Sequence, residues 1–557
     1  MSRTIVVAAT PTSNGDLHVG HMAGPYLSAD IYARYLRAAG RQVIYTTCTD
    51  DSQSYVVSTA HRQGTTPARL CARSTEAIQR SLRAMGLSMA GLPPVGEQYR
   101  RAVLDFVTAL HRAGRFRLTT VRLPVASRSG AFLYDGLVSG TCPVCLAPSC
   151  GGGCEGCGHP NNFDQLLDAR STVDPSDPVE YRETAVLVLP LEEYRDRLTA
   201  YYASRQGRWR PHAMQLVQEL LAKPLPEVPV TVPGDWGIPA PFPETPGQVI
   251  YPWIEAMPAV MYSTWWSAAQ LAEPAARYDE HWRAEHGAEL VYFHGFDNTY
   301  HWGLMDLVLL MAHGDRYITP TLNVCNEFYD LAGEKFSTSR NHLIWTADLL
   351  AEVPRDLVRF HLALTAPEQA RTNFTRDALH DNVSRKLVGP WNGLAGALAR
   401  AVAGAGDPVP TTAAGRARCA AMLTRFRSCY ELPGYSASRA AETVLVQLDR
   451  LRGLADDPRT APGDLLLEVR TVLAGAAPIL IDTADRAGAA GVELSLSAGP
   501  SDFVPAFDLP RLPGAGPASQ ETDHEAADHR DPAVPELLPI PLSAGAGVRG
   551  RPLRDER

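Results

Sequence analysis

Near its start the chain alternates between short β-branched runs and amphipathic stretches. "TIVVAAT" (Thr4–Thr10) is almost continuously apolar, the pattern of a buried strand. A polar segment containing glycine follows, then "GPYLSADIYARYLRAAG" with helical spacing, then "QVIYTTCTDD", a second strand that ends in two aspartates. Strand, helix, strand implies parallel strands, and a ligand is expected outside their carboxyl ends. The rhythm breaks over 116–245, where "KPLPEVPVTVPGDWGIPAPFPETPG" and a cysteine cluster read as an insertion. It resumes with "VIYPWIEAMPAVMYSTWW", "ELVYFHGFDNTYHWGLMDLVLLMAHG" and "YITPTLNVCNEFYDLAGEKFSTSR". The pattern therefore predicts an α/β fold with one nucleotide-binding core in two halves, 1–115 and 246–365. From 366 to 507 the spacing is helical, with Leu445, Leu448 and Leu451 on one side, and 508–557 is rich in Pro, Ala and Gly, which predicts a disordered tail.

Composition adds limits. With 557 residues, 45% of them hydrophobic, the chain can bury more than one core. No run reaches the roughly 18 apolar residues of a membrane span, and no secretory leader is evident, so the expectation is a cytoplasmic protein with no membrane partner. The net charge of −9 gives no basic footprint of a dedicated nucleic-acid binder. Only three lysines occur, Lys223, Lys335 and Lys386, which makes each one informative.

Five of the ten cysteines crowd into "CPVCLAPSCGGGCEGC". Two C-x-x-C turns, Cys142/Cys145 and Cys154/Cys157, each aim two thiolates at one point and together complete a tetrahedral zinc site. Four protein ligands leave no open position, so the zinc is expected to be structural. Cys150 is spare, and it or His159 is an alternative ligand.

"TPTSNGDLHVGH" places His18 and His21 three residues apart with Gly20 between them. No nearby acid completes a metal set. Glycine lets backbone approach a ring or a polyphosphate, and imidazoles donate to phosphate oxygens, so one reading is a nucleotide site. The other is a pair of histidines capping the start of a helix. "GEKFSTSR" bears on the choice: Lys335, Ser337, Thr338, Ser339 and Arg340 form a loop suited to phosphate oxygens.

Together "HVGH" and "KFSTS" resemble the two signatures of class I aminoacyl-tRNA synthetases, and "NGDLHVGH", the cysteine knuckle, "WIEA" at Trp253 and "HGFDNTYH" resemble methionyl-tRNA synthetases in particular. The resemblance spans roughly 4–480 and weakens in the helical part. It implies a split Rossmann catalytic core, a zinc-knuckle insertion and a C-terminal helical, anticodon-binding-like domain. It implies a ligase that joins an amino acid to ATP as an aminoacyl adenylate, with Mg²⁺ and a structural Zn²⁺. His18 and His21 would contact phosphates, while Asn14, Gly20 and Gly295 would lie along the ATP, with Asp297 on a ribose hydroxyl. Lys335, Ser337, Thr338 and Ser339 would close over pyrophosphate, and Asp51 would hold the substrate ammonium. Ala9, Thr12, Trp253, Ala256, Val260 and Trp302 would surround the amino acid.

The chain departs from the family pattern in three places. Thr338 stands where a second lysine is usual, and Arg340 is the nearest compensation. Thr12 and Val260 replace two aromatic walls and Trp302 a histidine, so the side chain bound need not be methionine's. Trp391 and Asn392 fit the anticodon-reading pattern, yet Gly396 falls where an arginine belongs and no tryptophan follows Trp391. Three functions stay open: a tRNA ligase, a tRNA-independent ligase that acylates a small amine or carrier, and a non-catalytic binding module.

Overall fold

The computed structural model describes residues 3–336, 342–497 and 499–514. Four strands run side by side in the order Val43–Thr46, Thr4–Ala8, Glu289–Gly295, Leu322–Asn326, all parallel. Ile5 sits between Ile44 and Leu290, and Thr4–Ala8 is buried throughout. This explains the continuous apolar run: a strand covered on both faces has no solvent side to alternate with. The chain leaves the two central strands toward opposite edges, Thr4–Ala8 toward Val43–Thr46 and Glu289–Gly295 toward Leu322–Asn326. Strand order reverses between them, and a crevice opens where their carboxyl ends part. Each half of the chain supplies two strands.

Between the halves, Arg117–Ala126 and Val179–Pro190 form a long antiparallel ribbon that Glu227–Pro229 extends. The cysteine knuckle hangs from its end. Its two-residue strands Gly152–Gly153 and Pro160–Asn161 pair with each other, and Val138–Thr141 pairs with both Pro148–Cys150 and Leu167–Ser171.

Beyond the core, Gly389–Val402, Ala413–Tyr430, Ala437–Ala455, Pro462–Ala476 and Ile481–Ala489 are helical. Leu448 and Leu451 are buried and Leu445 packs partly buried beside them, the apolar stripe read from the spacing. The helical part is tied to the core through Arg359, fully buried on the helix Arg355–Leu364. Its guanidinium donates to Asp30 at 2.7 Å and to the carbonyls of Met85, Pro478 and Ile479 at 2.9 to 3.0 Å. Arg359→Ala would leave the buried Asp30 carboxylate and three carbonyls short of their donor. We expect it to destabilise the chain by about 3–5 kcal/mol, read as a lowered urea midpoint.

The predicted disordered tail is corrected at its start. Leu509 and Leu512 are buried, Trp391 Nε1 donates to the Pro510 carbonyl at 2.8 Å, and Asn392 exchanges two hydrogen bonds with the Leu512 backbone. These few apolar residues find a ready-made groove on the helices, so they need no core of their own. The remainder of the tail lies outside the described residues. Among the described residues no helix is long and apolar enough to cross a membrane.

Candidate functional site

The crevice at the strand-order reversal is a cleft of about 410 Å³. The turn after Thr4–Ala8 forms one side and the turn after Glu289–Gly295 the other. Ala9, Thr12, Asn14, His18, Gly20, His21, Trp253, Gly295, Asp297 and Lys335 all line it. Ser337, Thr338, Ser339 and Arg340 lie outside the described residues, although the chain on either side of them rests on the histidine turn. Phe336 stacks on His18 with centroids 4.7 Å apart, the Val19 N–H donates to the Ile344 carbonyl at 2.9 Å, and Trp345 bridges to His18.

The helix-cap reading of the histidines is realised, and both rings also line the cleft. His18 caps the short helix Val19–His21: its Nδ1 accepts from the His21 N–H at 3.2 Å, and His21 Nδ1 accepts from the His18 N–H at 3.4 Å. This reciprocal cap occupies both Nδ1 lone pairs, so each neutral ring carries its proton on Nε2. The rings stack at 3.6 Å. His21 opens onto the cleft. Burial, the neighbouring His21 and the Lys335 charge push His18 down to about 2. Burial and Lys335 push His21 down to about 4. At neutral pH the pair therefore offers two uncharged N–H donors. A side chain at Gly20 would crowd them: a Cβ there would come within 3.0 Å of Phe336 and 3.1 Å of the His18 ring.

Lys335 leaves the short strand Glu334–Lys335 and forms an ion pair with Glu155, the residue after Cys154 in the knuckle. Across the cleft, Gly295 ends its strand beside Asp297, where an added Cβ would sit 2.6 Å from Asp297 Oδ1. Asp297 accepts from Asn298 Nδ2 at 3.0 Å, and burial raises its carboxyl above the usual range.

Four amino-acid-pocket expectations are corrected. Asp51 does not line the cleft; Asp50 does. Thr12 and Asp50 pair as a parallel bridge, with the Asp50 N–H donating to the Pro11 carbonyl at 2.9 Å. Asp50 faces the cleft, where Gln53 Nε2 donates to it at 2.8 Å, while Asp51, in the turn that follows, accepts from Ser13 Oγ. Burial, then the nearby Glu255 carboxyl, hold Asp50 well above the usual carboxylate range. Trp302 is likewise displaced. Thr299–Met305 is a π-helical turn, and its wider pitch brings His301 into the cleft while Trp302 packs edge-on against Tyr292 at 4.8 Å. Ala256 and Val260 are buried on the helix Pro252–Gln270 and do not reach the cleft. Val260 lies about 10 Å along the helix from Trp253.

Several residues at this end were not legible in the sequence. Asp135, Gln53, Tyr55 and His301 join Asp50 and Trp253. Asp135 accepts from Trp253 Nε1 at 3.2 Å, and burial raises it to about 7. His301 stacks face to face on Trp253 at 3.6 Å. The knuckle strand forms the wall: the Gly151 N–H donates to the Asp135 carbonyl at 3.0 Å, and a Cβ at Gly152 (φ +79°) would sit 2.3 Å from Asp135 Oδ1.

The Sγ atoms of Cys142, Cys145, Cys154 and Cys157 lie within 4.8 Å of one another, with Cys145 to Cys154 at 3.6 Å and Cys142 to Cys157 at 3.8 Å. A tetrahedral zinc with bonds of about 2.3 Å sets its sulfurs about 3.8 Å apart, so the donor set fits that ion. Cys150 and His159 are not part of the cluster.

A family model described as tRNA synthetases class I (M) matches residues 4–399. A methionine–tRNA ligase of Chlorobium limicola is 31% identical over 400 residues, 70% of this chain and 56% of its own length. One from Porphyromonas gingivalis is 33% identical over 377 residues, 67% of this chain and 54% of its own. The chain thus spans about half the length of the curated relatives it matches. Among solved structures, Mycobacterium tuberculosis methionyl-tRNA synthetase bound by methionyl-adenylate superposes with a TM-score of 0.70 at 18% identity, covering 92% of this chain and 100% of that one.

Proposed function

This chain belongs to the class I (M) tRNA synthetases, and on that footing we propose that it activates an amino acid with ATP, giving an aminoacyl adenylate and pyrophosphate. The observation that carries the reading is convergence: two neutral histidine donors, Lys335, Asp297 and Asp50 line one cleft at the reversal of strand order. The substrate carboxylate attacks the α-phosphorus, a bond forms there as the α–β bridge breaks, and pyrophosphate leaves. An ionised carboxylate needs no protein base, so catalysis rests on positioning and charge. Asp50 takes the α-ammonium and Asp297 a ribose hydroxyl. The Nε2–H groups of His18 and His21 meet phosphate oxygens. Lys335 exchanges Glu155 for the departing pyrophosphate, with Mg²⁺ accompanying the ATP. Zinc in the four-cysteine site holds the knuckle. That the Mycobacterium protein carries methionyl-adenylate supports the adenylate chemistry.

Amino-acid-dependent ATP–pyrophosphate exchange over a panel of amino acids tests this; exchange with none would refute it. Asp50 gives the reading a pH signature. Burial and the nearby Glu255 carboxyl raise it, so as pH falls Asp50 takes up a proton earlier than an ordinary carboxylate, and the neutral form holds the ammonium less well. The KM for amino acid should therefore climb as pH falls, and Asp50→Asn should weaken that dependence, leaving the part that Asp135, raised to about 7 at the same end, contributes, while Asp51→Asn keeps it whole.

A second reading concerns the acceptor. Trp391 is 1% exposed, and it and Asn392 are engaged by residues 510 to 512 of the same chain rather than open to nucleotide bases. This favours transfer of the acyl group to an acceptor not recognised through those residues. Charging assays with purified tRNA separate the two cases.

A further inference from the structure

His301 is a buried polar group in search of a partner. It is 2% exposed, lies between Trp253 and the Gly153 backbone, and lines the cleft. Neither of its ring nitrogens has a hydrogen-bond partner among the described residues. Burial pushes it down to about 3, so it is a neutral ring with one donor and one acceptor. A second orphan stands at the same end: Gln53 donates to Asp50 at 2.8 Å, but its own amide oxygen has no partner among the described residues. Asp135 offers nothing comparable, since Trp253 Nε1 and Ser54 Oγ, at 3.2 and 3.4 Å, take its two oxygens.

Resting on the adenylate-forming reading above, we propose that this end of the cleft selects an amino acid whose side chain carries a neutral hydroxyl or carboxamide, with His301 as the specificity-determining residue. Such groups both donate and accept, which matches a neutral imidazole and an unfilled amide oxygen. A thioether is only a weak acceptor and has no donor, so it leaves the Gln53 amide oxygen unpaired. An acidic side chain would face the carboxyls of Asp50 and Asp135. A cationic one would find Asp50 committed to the α-ammonium and Asp135 already bonded. Thr12 adds a hydroxyl on the wall where the family pattern has an aromatic ring.

The test pairs calorimetric binding with pyrophosphate exchange, using serine, threonine, asparagine, glutamine, methionine and norleucine on the full chain. One of the first four should surpass methionine and norleucine. In His301→Phe its selectivity over norleucine should fall by roughly tenfold to a hundredfold, and His301→Asn, which keeps a donor and an acceptor, should restore part of it. Circular dichroism of each variant checks folding, and the wild-type ranking stands even where a variant fails to fold. Preferential binding of methionine or norleucine by the wild type overturns the proposal, as does an unchanged ratio in folded His301→Phe. Exchange with no amino acid refutes adenylate formation instead; calorimetry then still decides the pocket, and absence of binding by all four polar amino acids overturns it.

Discussion

Replacing His21 by alanine lowers kcat for amino-acid-dependent pyrophosphate exchange by about two to three orders of magnitude, and leaves the KM for the amino acid nearly unchanged. In the proposed reaction, charge grows on the phosphate oxygens only as the α–β bridge breaks. A donor aimed there acts mainly in the transition state, and its loss appears in kcat. The two rings are also coupled through their mutual cap. His21→Ala frees the His18 backbone N–H from its acceptor and removes the ring stacked at 3.6 Å, leaving the His18 ring its bond from the residue 21 N–H and its stack on Phe336. The double alanine variant should then cost less than the two single losses combined, the behaviour of neighbours that share contacts. Asparagine at 21 offers a decisive comparison. If an uncharged N–H suffices, as the lowering of His21 to about 4 implies, His21→Asn recovers a substantial part of the rate without a positive charge. Equal defects in the asparagine and alanine variants would show that the imidazole acts in some other way.

The framework of this site was readable because it rests on continuous patterns. An apolar run such as Thr4–Ala8 can only be a strand buried on both faces, and the turn after it must then meet a ligand at the sheet's carboxyl edge. The individual pocket residues were harder to read because single-residue phase decides them. Asp50 and Asp51 are chemically equivalent in the sequence, and only the bridge between Thr12 and Asp50 selects which one faces inward. His301 and Trp302 exchange places because Thr299–Met305 adopts π-helical pitch, which apolar spacing does not announce. Asp135 comes from the distant insertion, and Gln53 and Tyr55, although they follow closely on Asp50, carry no local signature. The strand before Asp50 ends at Thr46, and the turn that begins at Asp51 is what separates the two acids, a break the apolar pattern does not show. The segment at 508–514 was misread because composition judges whether a stretch can form its own core, not whether a neighbour already offers one.

Removing metal from the knuckle should disable amino-acid binding while sparing most of the fold. Cys142–Cys157 has almost no core of its own. The nearest apolar cluster is Ala126, Leu133, Val138 and Leu166, and it lies beside the knuckle rather than within it. A bound zinc supplies about 10–16 kcal/mol to peptides of this kind, so local order there depends on the ion. The segment it orders, 151–153, is a wall of the amino-acid end: a Cβ on Gly153 would lie 3.3 Å from His301, and Gly152 abuts Asp135. The central parallel sheet makes no use of these contacts. Cys145→Ser or exhaustive chelation should therefore raise the KM for amino acid by at least about tenfold, with a smaller change for ATP. The thermal transition of the remainder should persist. Elemental analysis of the purified chain should find about one zinc per molecule, and re-addition of zinc should restore the amino-acid KM. A chain that contains no metal yet binds amino acid normally would disprove both the metal assignment and the role of the knuckle as a wall. Equal losses for ATP and amino acid would point to a different coupling, through Glu155 and Lys335, since that ion pair reaches the phosphate end instead.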